Sequence, residues 1–316
     1  MAKRRSSTPG GRSEPTRTLL SALVIGAAVV LVLLGLRFVP GSPLAAASPR
    51  WLAPGVTPAG TPTGAPPTPP APTEATPTPT PGPPDALAVR AAPVQVEAQG
   101  WWSWALLDRR TGEITGSANM AGTSTTASLI KAWIGADFLR RSAEAGEEPS
   151  ETRLAQVRVM IRDSDNDAAQ ALWRVVGQSA AIRRMIRMCG MTDSSAYRNL
   201  WSNTRLSPRD VTRLAVCIAD GRAAGPQWTE WLVKEMRAVR GVGDFGIRKA
   251  FPKAAQKQIA IKNGWVTRDA AGEWHVNCLA VAEGWAMGVM TRYPAQLGYQ
   301  YGAKICRDVA RQLRAT

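Results

Sequence analysis

Histidine is almost absent from this chain, with His275 the single example among 316 residues. Cysteine is also scarce, and none of the four cysteines lies in a Cys-x-x-Cys pair or beside the histidine. A zinc site needs three or four Cys, His or carboxylate ligands at characteristic spacings. The sequence therefore predicts no metal site and no cofactor, and His275 alone is expected to be a packed or surface residue.

Acidic residues are few as well: 24 Asp and Glu stand against 39 Lys and Arg, a net charge of +15. Residues 96–316 hold 31 basic and 21 acidic residues, a net charge of +10. Such an excess attracts anionic wall polymers, membrane headgroups or nucleic acid. The arginines are scattered along the chain, so ordinary solvated charge is the competing interpretation.

A hydrophobic run of 18 uncharged residues extends from Leu19 to Leu36. As a helix it covers about 27 Å, close to the hydrocarbon thickness of a bilayer. Five basic residues precede it within residues 3–17, whereas only Arg37 and Arg50 follow closely. This bias places the N-terminus in the cytoplasm and the rest of the chain outside the cell, where a nucleic-acid partner is not expected. A cleaved secretory signal is the alternative, because residues 45–47 are three alanines.

Large apolar side chains are nearly missing between Pro54 and Pro84, which hold thirteen of the 24 prolines. Proline fixes φ and removes a backbone donor, so this segment predicts an extended spacer without a core. We therefore divide the chain into a cytoplasmic tail (1–18), a transmembrane helix (19–38), a Pro/Thr-rich disordered linker (39–90) and a globular domain (91–316).

All four cysteines lie in the globular domain, which the topology places in an oxidising compartment. Three pairings are possible for two disulfides. Cys189 and Cys217 lie in neighbouring helical patterns, and Cys278 and Cys306 lie on a late strand and the last helix. The favoured pairs are therefore 189–217 and 278–306.

Hydrophobic periodicity predicts strands at both ends of the domain and helices between them. A hairpin is expected from strands at 103–108 and 113–119. Helices are expected at about 127–143, 151–162, 165–176, 178–188, 207–221, 226–239 and 298–314, and late strands at 258–262, 274–282 and 285–291. This order predicts one antiparallel sheet built from both ends of the domain, with the helical block as a subdomain. A reaction site is expected at their junction.

Three short motifs occur in an order that suits such a junction. Ser128-Leu129-Ile130-Lys131 opens an apolar helix, and residues three apart share a helix face. Ser164-Asp165-Asn166 lies between two predicted helices, and Lys262-Asn263-Gly264 ends a predicted strand. Alone, each motif fits a helix cap or a charged strand edge; together and in this order, they favour one catalytic cleft.

The set resembles the S-x-x-K, S-D-N and K-T-G motifs of the penicillin-recognising serine hydrolases, in particular class A β-lactamase-related, actinobacterial-type exported enzymes. The likeness covers residues 95–316 and includes Leu206-Ser207-Pro208-Arg209-Asp210 and Trp274-His275-Val276-Asn277. It implies an α/β (α+β) fold: a five-stranded antiparallel sheet with flanking helices and an all-helical subdomain. It also implies a serine enzyme without a cofactor, expected as a monomer.

The resemblance implies a role for each matched residue. Ser128 would be the acylated nucleophile, and Lys131 its base or proton relay. Ser164 would pass a proton to the leaving nitrogen, Asn166 would hold Lys131 and the substrate amide, and Lys262 would orient Ser164 and a substrate carboxylate.

Three further residues would bind the substrate. Asn263 stands where the family prefers threonine or serine, and Gly264 would let the backbone approach closely. The backbone N–H groups of Trp265 and Ser128 would form the oxyanion hole.

The chain departs from the class A pattern in the loop that precedes Ser207. Residues 194–206 contain no glutamate, the residue that supplies the deacylation base in class A enzymes. Asp193 lies too early in the loop to be an obvious substitute. The sequence therefore predicts a membrane-anchored serine hydrolase that acts slowly on a β-lactam or a cell-wall peptide amide. A penicillin-binding protein that traps its ligand and a noncatalytic cell-wall binding domain are the alternatives.

Overall fold

The computed structural model describes residues 87–197 and 200–315. The predicted tail, the transmembrane helix and nearly all of the predicted linker lie outside these residues. Within the described ranges, no helix combines the length and the hydropathy that crossing a membrane requires. Val89, which we assigned to the linker, forms an antiparallel bridge with Arg314 near the end of the chain.

The described residues form eight strands. They are β1 Trp101–Asp108, β2 Ile114–Gly116, β3 Ser124–Thr125, β4 Arg205–Leu206, β5 Ala260–Ile261, β6 Gly264–Arg268, β7 Glu273–Val281 and β8 Trp285–Pro294. All except β3 and β4 belong to one antiparallel sheet in the order β2-β1-β8-β7, with β5 and β6 both pairing with β7. The sheet thus joins the two ends of the domain, as predicted.

The sheet has six strands rather than the five expected, because its edge strand is interrupted. Ile261 pairs with Ala280 and Gly264 pairs with Asn277, so the register is the same on both sides of the gap. The gap consists of Lys262 and Asn263, two residues of the third motif. The sequence pattern ended this strand at residue 262 and missed β6.

Eight helices of the described ranges surround the sheet. They are α1 Lys131–Glu144, α2 Glu151–Arg162, α3 Asn166–Val175, α4 Ser179–Met188, α5 Pro208–Ala219, α6 Pro226–Arg237, α7 Lys253–Gln256 and α8 Tyr299–Leu313. Seven of them match the seven predicted helices. The eighth, α7, is a single turn that was not predicted. Local signals explain the starts: Ser207 caps α5 by accepting a hydrogen bond from the Asp210 N–H at 3.0 Å, and Pro208 follows it.

Two helices cover opposite faces of the sheet. Gly288 on β8 lies against Val211 of α5, whereas Val276 on β7 lies against Gly302 of α8. Val276 pairs with Thr291, which is three residues from Gly288 and therefore points to the other face. The predicted fold, an antiparallel sheet with flanking helices and a helical subdomain, is confirmed.

Helix α1 is the centre of the helical subdomain. Every residue from Lys131 to Arg140 is buried, and the helix contacts α2, α3, α4 and α6. Trp133 and Trp173 are fully buried there. Such burial fixes the position of Lys131, the first residue of this helix.

Both predicted disulfides are present. Cys189 at the end of α4 is joined to Cys217 of α5, and Cys278 of β7 is joined to Cys306 of α8. Each bond links residues that are 28 positions apart, so each restricts a loop of similar length in the unfolded chain.

Candidate active site

Ser128 lies on a sharp turn between strand β3 and helix α1. A short 3-10 segment, Ala127–Ile130, leads directly into α1. Ala127 has a φ of 47°, which is costly for a residue with a side chain and persists only where the surroundings impose it. Ser128 itself is 9% exposed, at the edge of the buried interior.

Lys131 follows one turn later, and its ammonium group is entirely buried. Its Nζ donates to the Ser164 carbonyl oxygen at 2.6 Å and to Asn166 Oδ1 at 2.7 Å, and it lies 3.5 Å from Ser164 Oγ. Burial lowers the pKa of Lys131 to about 7, although the charge of Asp165 opposes the shift. A lysine with this pKa can accept a proton at neutral pH.

The Ser-Asp-Asn motif divides its residues between structure and site. Asp165 caps α3 by accepting a hydrogen bond from the Ala168 N–H at 2.7 Å. Ser164 adopts a φ of 61°, and its side chain and that of Asn166 are both turned toward Lys131. Asp165 therefore has the predicted helix-cap role, whereas Ser164 and Asn166 contact Lys131.

Lys262 reaches the same serine from the sheet. Its Nζ donates to Ser164 Oγ at 3.0 Å, and the residue is 1% exposed. Burial holds the pKa of Lys262 well below its ordinary value; the charge of Lys131 adds to this lowering, and Asp163 opposes it. Two lysines with lowered pKa values therefore flank the Ser164 hydroxyl.

Gly264 brings strand β6 against the turn that carries Ser128. A Cβ at this position would lie 2.2 Å from the Thr126 carbonyl oxygen and 2.8 Å from the Ser128 nitrogen. Only glycine permits this approach. The next residue, Trp265, packs its ring edge-on against Phe245 at 5.8 Å between centroids.

Asn263 uses its amide nitrogen inside the protein, whereas its Oδ1 atom has no hydrogen-bond partner among the described residues. Its Nδ2 donates to the carbonyl oxygens of Gly243 and Phe245, at 3.1 and 2.9 Å, and the residue is 1% exposed. Because the strand is interrupted here, the side chain turns into the interior and ties the neighbouring loop. The two hydrogen bonds hold the loop at 243–245 against the interrupted edge strand.

The carboxylate of Asp193 is engaged in hydrogen bonds at the start of α5. Its carboxylate accepts from Arg209 at 2.7 Å and from Ser207 at 2.7 Å. Burial raises the pKa of Asp193, but the hydrogen bonds from Arg209, Ser207 and Thr192 outweigh it and leave a net lowering. This carboxylate anchors the loop to the start of α5.

Trp201 is a site residue that the motif analysis missed. It lies in the loop before Ser207, is 8% exposed, and its ring centroid is 4.8 Å from Lys131 Nζ. An aromatic residue in an irregular loop carries no sequence signal for such a contact. This loop therefore contacts Lys131 with an indole ring. An indole cannot act as a general base.

His275 is packed, as expected. It is 5% exposed, its Nδ1 lies 2.7 Å from Thr125 Oγ1, and its Nε2 lies 3.1 Å from Glu273 Oε2. Burial lowers the pKa of His275 to about 4, and the hydrogen bond to Glu273 opposes the shift. The neutral ring braces β3, the strand that leads to Ser128. Among the described residues, no group of three or more His, Cys, Asp or Glu side chains could hold a metal ion.

Comparison with known proteins agrees with this architecture. The model of the β-lactamase enzyme family matches residues 147–316, which include the second and third motifs but not Ser128 or Lys131. A curated relative from Mycobacterium tuberculosis (strain ATCC 25618 / H37Rv), named "Putative lipoprotein LppW", is 27% identical over 184 residues. The match covers 56% of this chain and 58% of the relative, so the chain spans a little over half of that protein.

Solved structures share the fold at low identity. The TLA-3 extended-spectrum β-lactamase superposes with a TM-score of 0.58 at 14% identity, over 69% of this chain and 95% of that one. The β-lactamase from Sphaerobacter thermophilus DSM 20745 gives 0.54 at 17% identity, over 67% and 89%. Because the family match covers more than half of the sequence, the chain belongs to the β-lactamase enzyme family.

Proposed function

We propose that this chain is a membrane-anchored, extracytoplasmic serine hydrolase that forms an acyl-enzyme at Ser128. Its substrate would be a β-lactam or a cell-wall peptide amide. One observation carries the proposal: Lys131 and Lys262 converge on the Ser164 hydroxyl, at 3.5 and 3.0 Å, beside the turn that holds Ser128. Two buried lysines on one serine are costly, and such clusters concentrate at functional sites.

In the first step, Ser128 Oγ attacks the carbonyl carbon of the amide. Its proton passes to the neutral amine of Lys131, which is available because the pKa of Lys131 is about 7. Negative charge collects on the carbonyl oxygen, where the N–H groups of Ser128 and Trp265 would receive it. Each such donor is typically worth about 3 kcal/mol in the transition state.

In the second step, the carbon–nitrogen bond breaks and the amide nitrogen leaves with a proton from Ser164. Lys131 returns the proton that it took from Ser128 to Ser164, whose Oγ it approaches at 3.5 Å. Lys262, at 3.0 Å from the same oxygen, holds that hydroxyl in place. The products are a Ser128 ester and a free amine, and the lysines end in their starting states.

Hydrolysis of the ester then needs a base that activates water. Residues 194–206 supply no carboxylate, Asp193 is tied to Arg209, and the Trp201 ring occupies the space beside Lys131. The acyl-enzyme is therefore long-lived, and its breakdown limits turnover.

The membrane anchor in this proposal is the apolar run from Leu19 to Leu36. A relative described as a lipoprotein supports an exported, membrane-associated protein. All four cysteines of this chain form disulfides, so none of them is available for lipid attachment. A hydrophobic helix is the anchor that the sequence offers instead.

The test is labelling of the full-length chain, solubilised in nonionic detergent, with a fluorescent penicillin, followed by peptide mass spectrometry. We expect one adduct, on Ser128, that the Ser128→Ala variant lacks. Equal labelling of both proteins would refute the nucleophile assignment. No labelling of the wild type, either by the penicillin or by an activated serine-hydrolase probe, would favour the noncatalytic binding domain.

A further inference from the structure

A cavity of about 430 Å³ lies between the segment at 241–249 and the first turns of α8. Six of its lining residues carry a ring or a charge: Asp244, Phe245, Lys249, Tyr299, Lys304 and Arg307. Its volume falls within the range of about 300–1,000 Å³ typical of ligand pockets. None of these residues takes part in the acyl transfer proposed above.

Positive charge dominates the cavity and its surroundings. Asp244, the one carboxylate among the described lining residues, is already paired with Arg248 and Lys249, both at 2.7 Å. Lys304 and Arg307 share Asp308, at 2.5 and 3.7 Å. The two segments that form the cavity, residues 236–257 and 299–313, hold nine basic and two acidic residues. Basic side chains therefore outnumber the carboxylates in these two segments, and a net positive potential remains to attract a ligand.

The apolar part of the wall is held rigidly. The rings of Phe245 and Tyr299 meet edge to face, with centroids 5.2 Å apart at 84°. Tyr299 Oη donates to the Val242 carbonyl oxygen at 2.6 Å, which fixes the ring against the loop. Trp265 completes the cluster, 5.8 Å from Phe245 and 6.0 Å from Tyr299 between ring centroids. The aromatic wall of the cavity is thus in contact with β6, the strand that packs against the Ser128 turn.

We propose that this cavity binds an anionic saccharide, a sugar that carries a carboxylate or a phosphate. Lys249, Lys304 and Arg307 would contact the anion, and the sugar ring would pack against Phe245 and Tyr299. The concave shape suits one or two sugar units, whereas a bilayer surface would require a flat exposed patch. This binding goes beyond the proposed acyl transfer and does not require Ser128.

Isothermal titration calorimetry on the full-length chain in nonionic detergent tests the proposal with two probes. One is a disaccharide of N-acetylglucosamine and N-acetylmuramic acid without its peptide, which carries a carboxylate. The other is an oligomer of glucosyl glycerol phosphate, which carries phosphates. Binding of either probe that weakens with added salt is the expected result, and the probe that binds identifies the anion.

The variants isolate the cavity. Replacing Lys249, Lys304 and Arg307 together by Gln should weaken binding by about tenfold or more. The control replaces three exposed arginines on other helices by Gln, at positions 141, 174 and 187, and removes the same charge. It should bind like the wild type. If the triple cavity variant melts early, Arg307→Gln alone replaces it, because the contact of Arg307 with Asp308 is the longest of the set.

Three results would overturn the proposal: equal binding by the cavity variant and the control, binding to phosphatidylglycerol vesicles only, or no binding of either probe. Penicillin labelling of Ser128 on the same wild-type preparation reports the proposed function separately. Saccharide binding without labelling by either the penicillin or the activated serine-hydrolase probe would refute only the acyl transfer. Labelling without saccharide binding would refute only the proposal for the cavity.

Discussion

The Nζ atom of Lys131 lies 4.8 Å from the centroid of the Trp201 ring. Trp201 begins a short 3-10 turn, Trp201–Asn203, in a loop that has no acidic residue from position 194 to Ser207. The ring excludes water from one side of the lysine and accepts no proton. In the proposed mechanism, this ring takes the place beside Lys131 where a carboxylate could activate water.

Trp201→Glu should accelerate breakdown of the acyl-enzyme. A carboxylate beside Lys131 supplies the missing base, and general-base assistance is worth about 10²–10⁴-fold in rate. The matched control is Trp201→Gln, which has similar size but no base. Acyl-enzyme decay, followed by intact-protein mass spectrometry after excess penicillin is removed, gives both rates. Equal rates for the two variants would mean that the identity of this side chain does not control deacylation.

Acylation should depend on the protonation state of Lys131. Its pKa is lowered to about 7, so the neutral, proton-accepting form is scarce below that pH and predominant above it. The second-order rate of penicillin labelling should therefore rise between pH 6 and 8 and then level off. Lys131→Arg keeps the charge but cannot accept the proton, and it should lose about 10²-fold or more in rate. A flat profile for the wild type would contradict the assignment of Lys131 as the base.

Gly264→Ala should impair labelling by displacing the turn at Ser128. The added Cβ would meet backbone atoms, the Thr126 oxygen at 2.2 Å and the Ser128 nitrogen at 2.8 Å, and backbone cannot move aside cheaply. Overpacking of this kind costs about 1–3 kcal/mol. Gly284→Ala is the control, because nothing lies within 4 Å of a Cβ there. The melting temperature and the labelling rate should both fall for Gly264→Ala, and neither should fall for the control. Normal labelling by Gly264→Ala would show that the close approach of β6 to the Ser128 turn is dispensable.

The sequence allowed a good prediction of the elements and of the residues that converge. Apolar periodicity predicted the long helices, and Ser207-Pro208 marked the start of α5. The motif order predicted that Lys131, Ser164 and Lys262 converge, although these residues come from three motifs that are far apart in the chain. These features depend on local pattern or on side-chain chemistry that recurs in a known order.

Other features depend on contacts between distant segments, and the sequence could not supply them. The interruption of the edge strand at Lys262 and Asn263 was not predicted, because it depends on packing against the loop at 243–245. The same packing directs the Asn263 amide nitrogen to the carbonyl oxygens of that loop. Trp201 lies in an irregular loop, where periodicity gives no information about which neighbour its ring will meet.

The proposed mechanism requires that Ser128 is acylated quickly and that the acyl group is released slowly. Rapid mixing of the full-length chain with a chromogenic cephalosporin, sampled by intact-protein mass spectrometry, tests it directly. We expect a burst near one equivalent, an adduct on Ser128 that accumulates fully, and slow turnover afterwards. Fast, linear hydrolysis with no burst and no detectable adduct would contradict it, because another group would then have to activate the deacylating water.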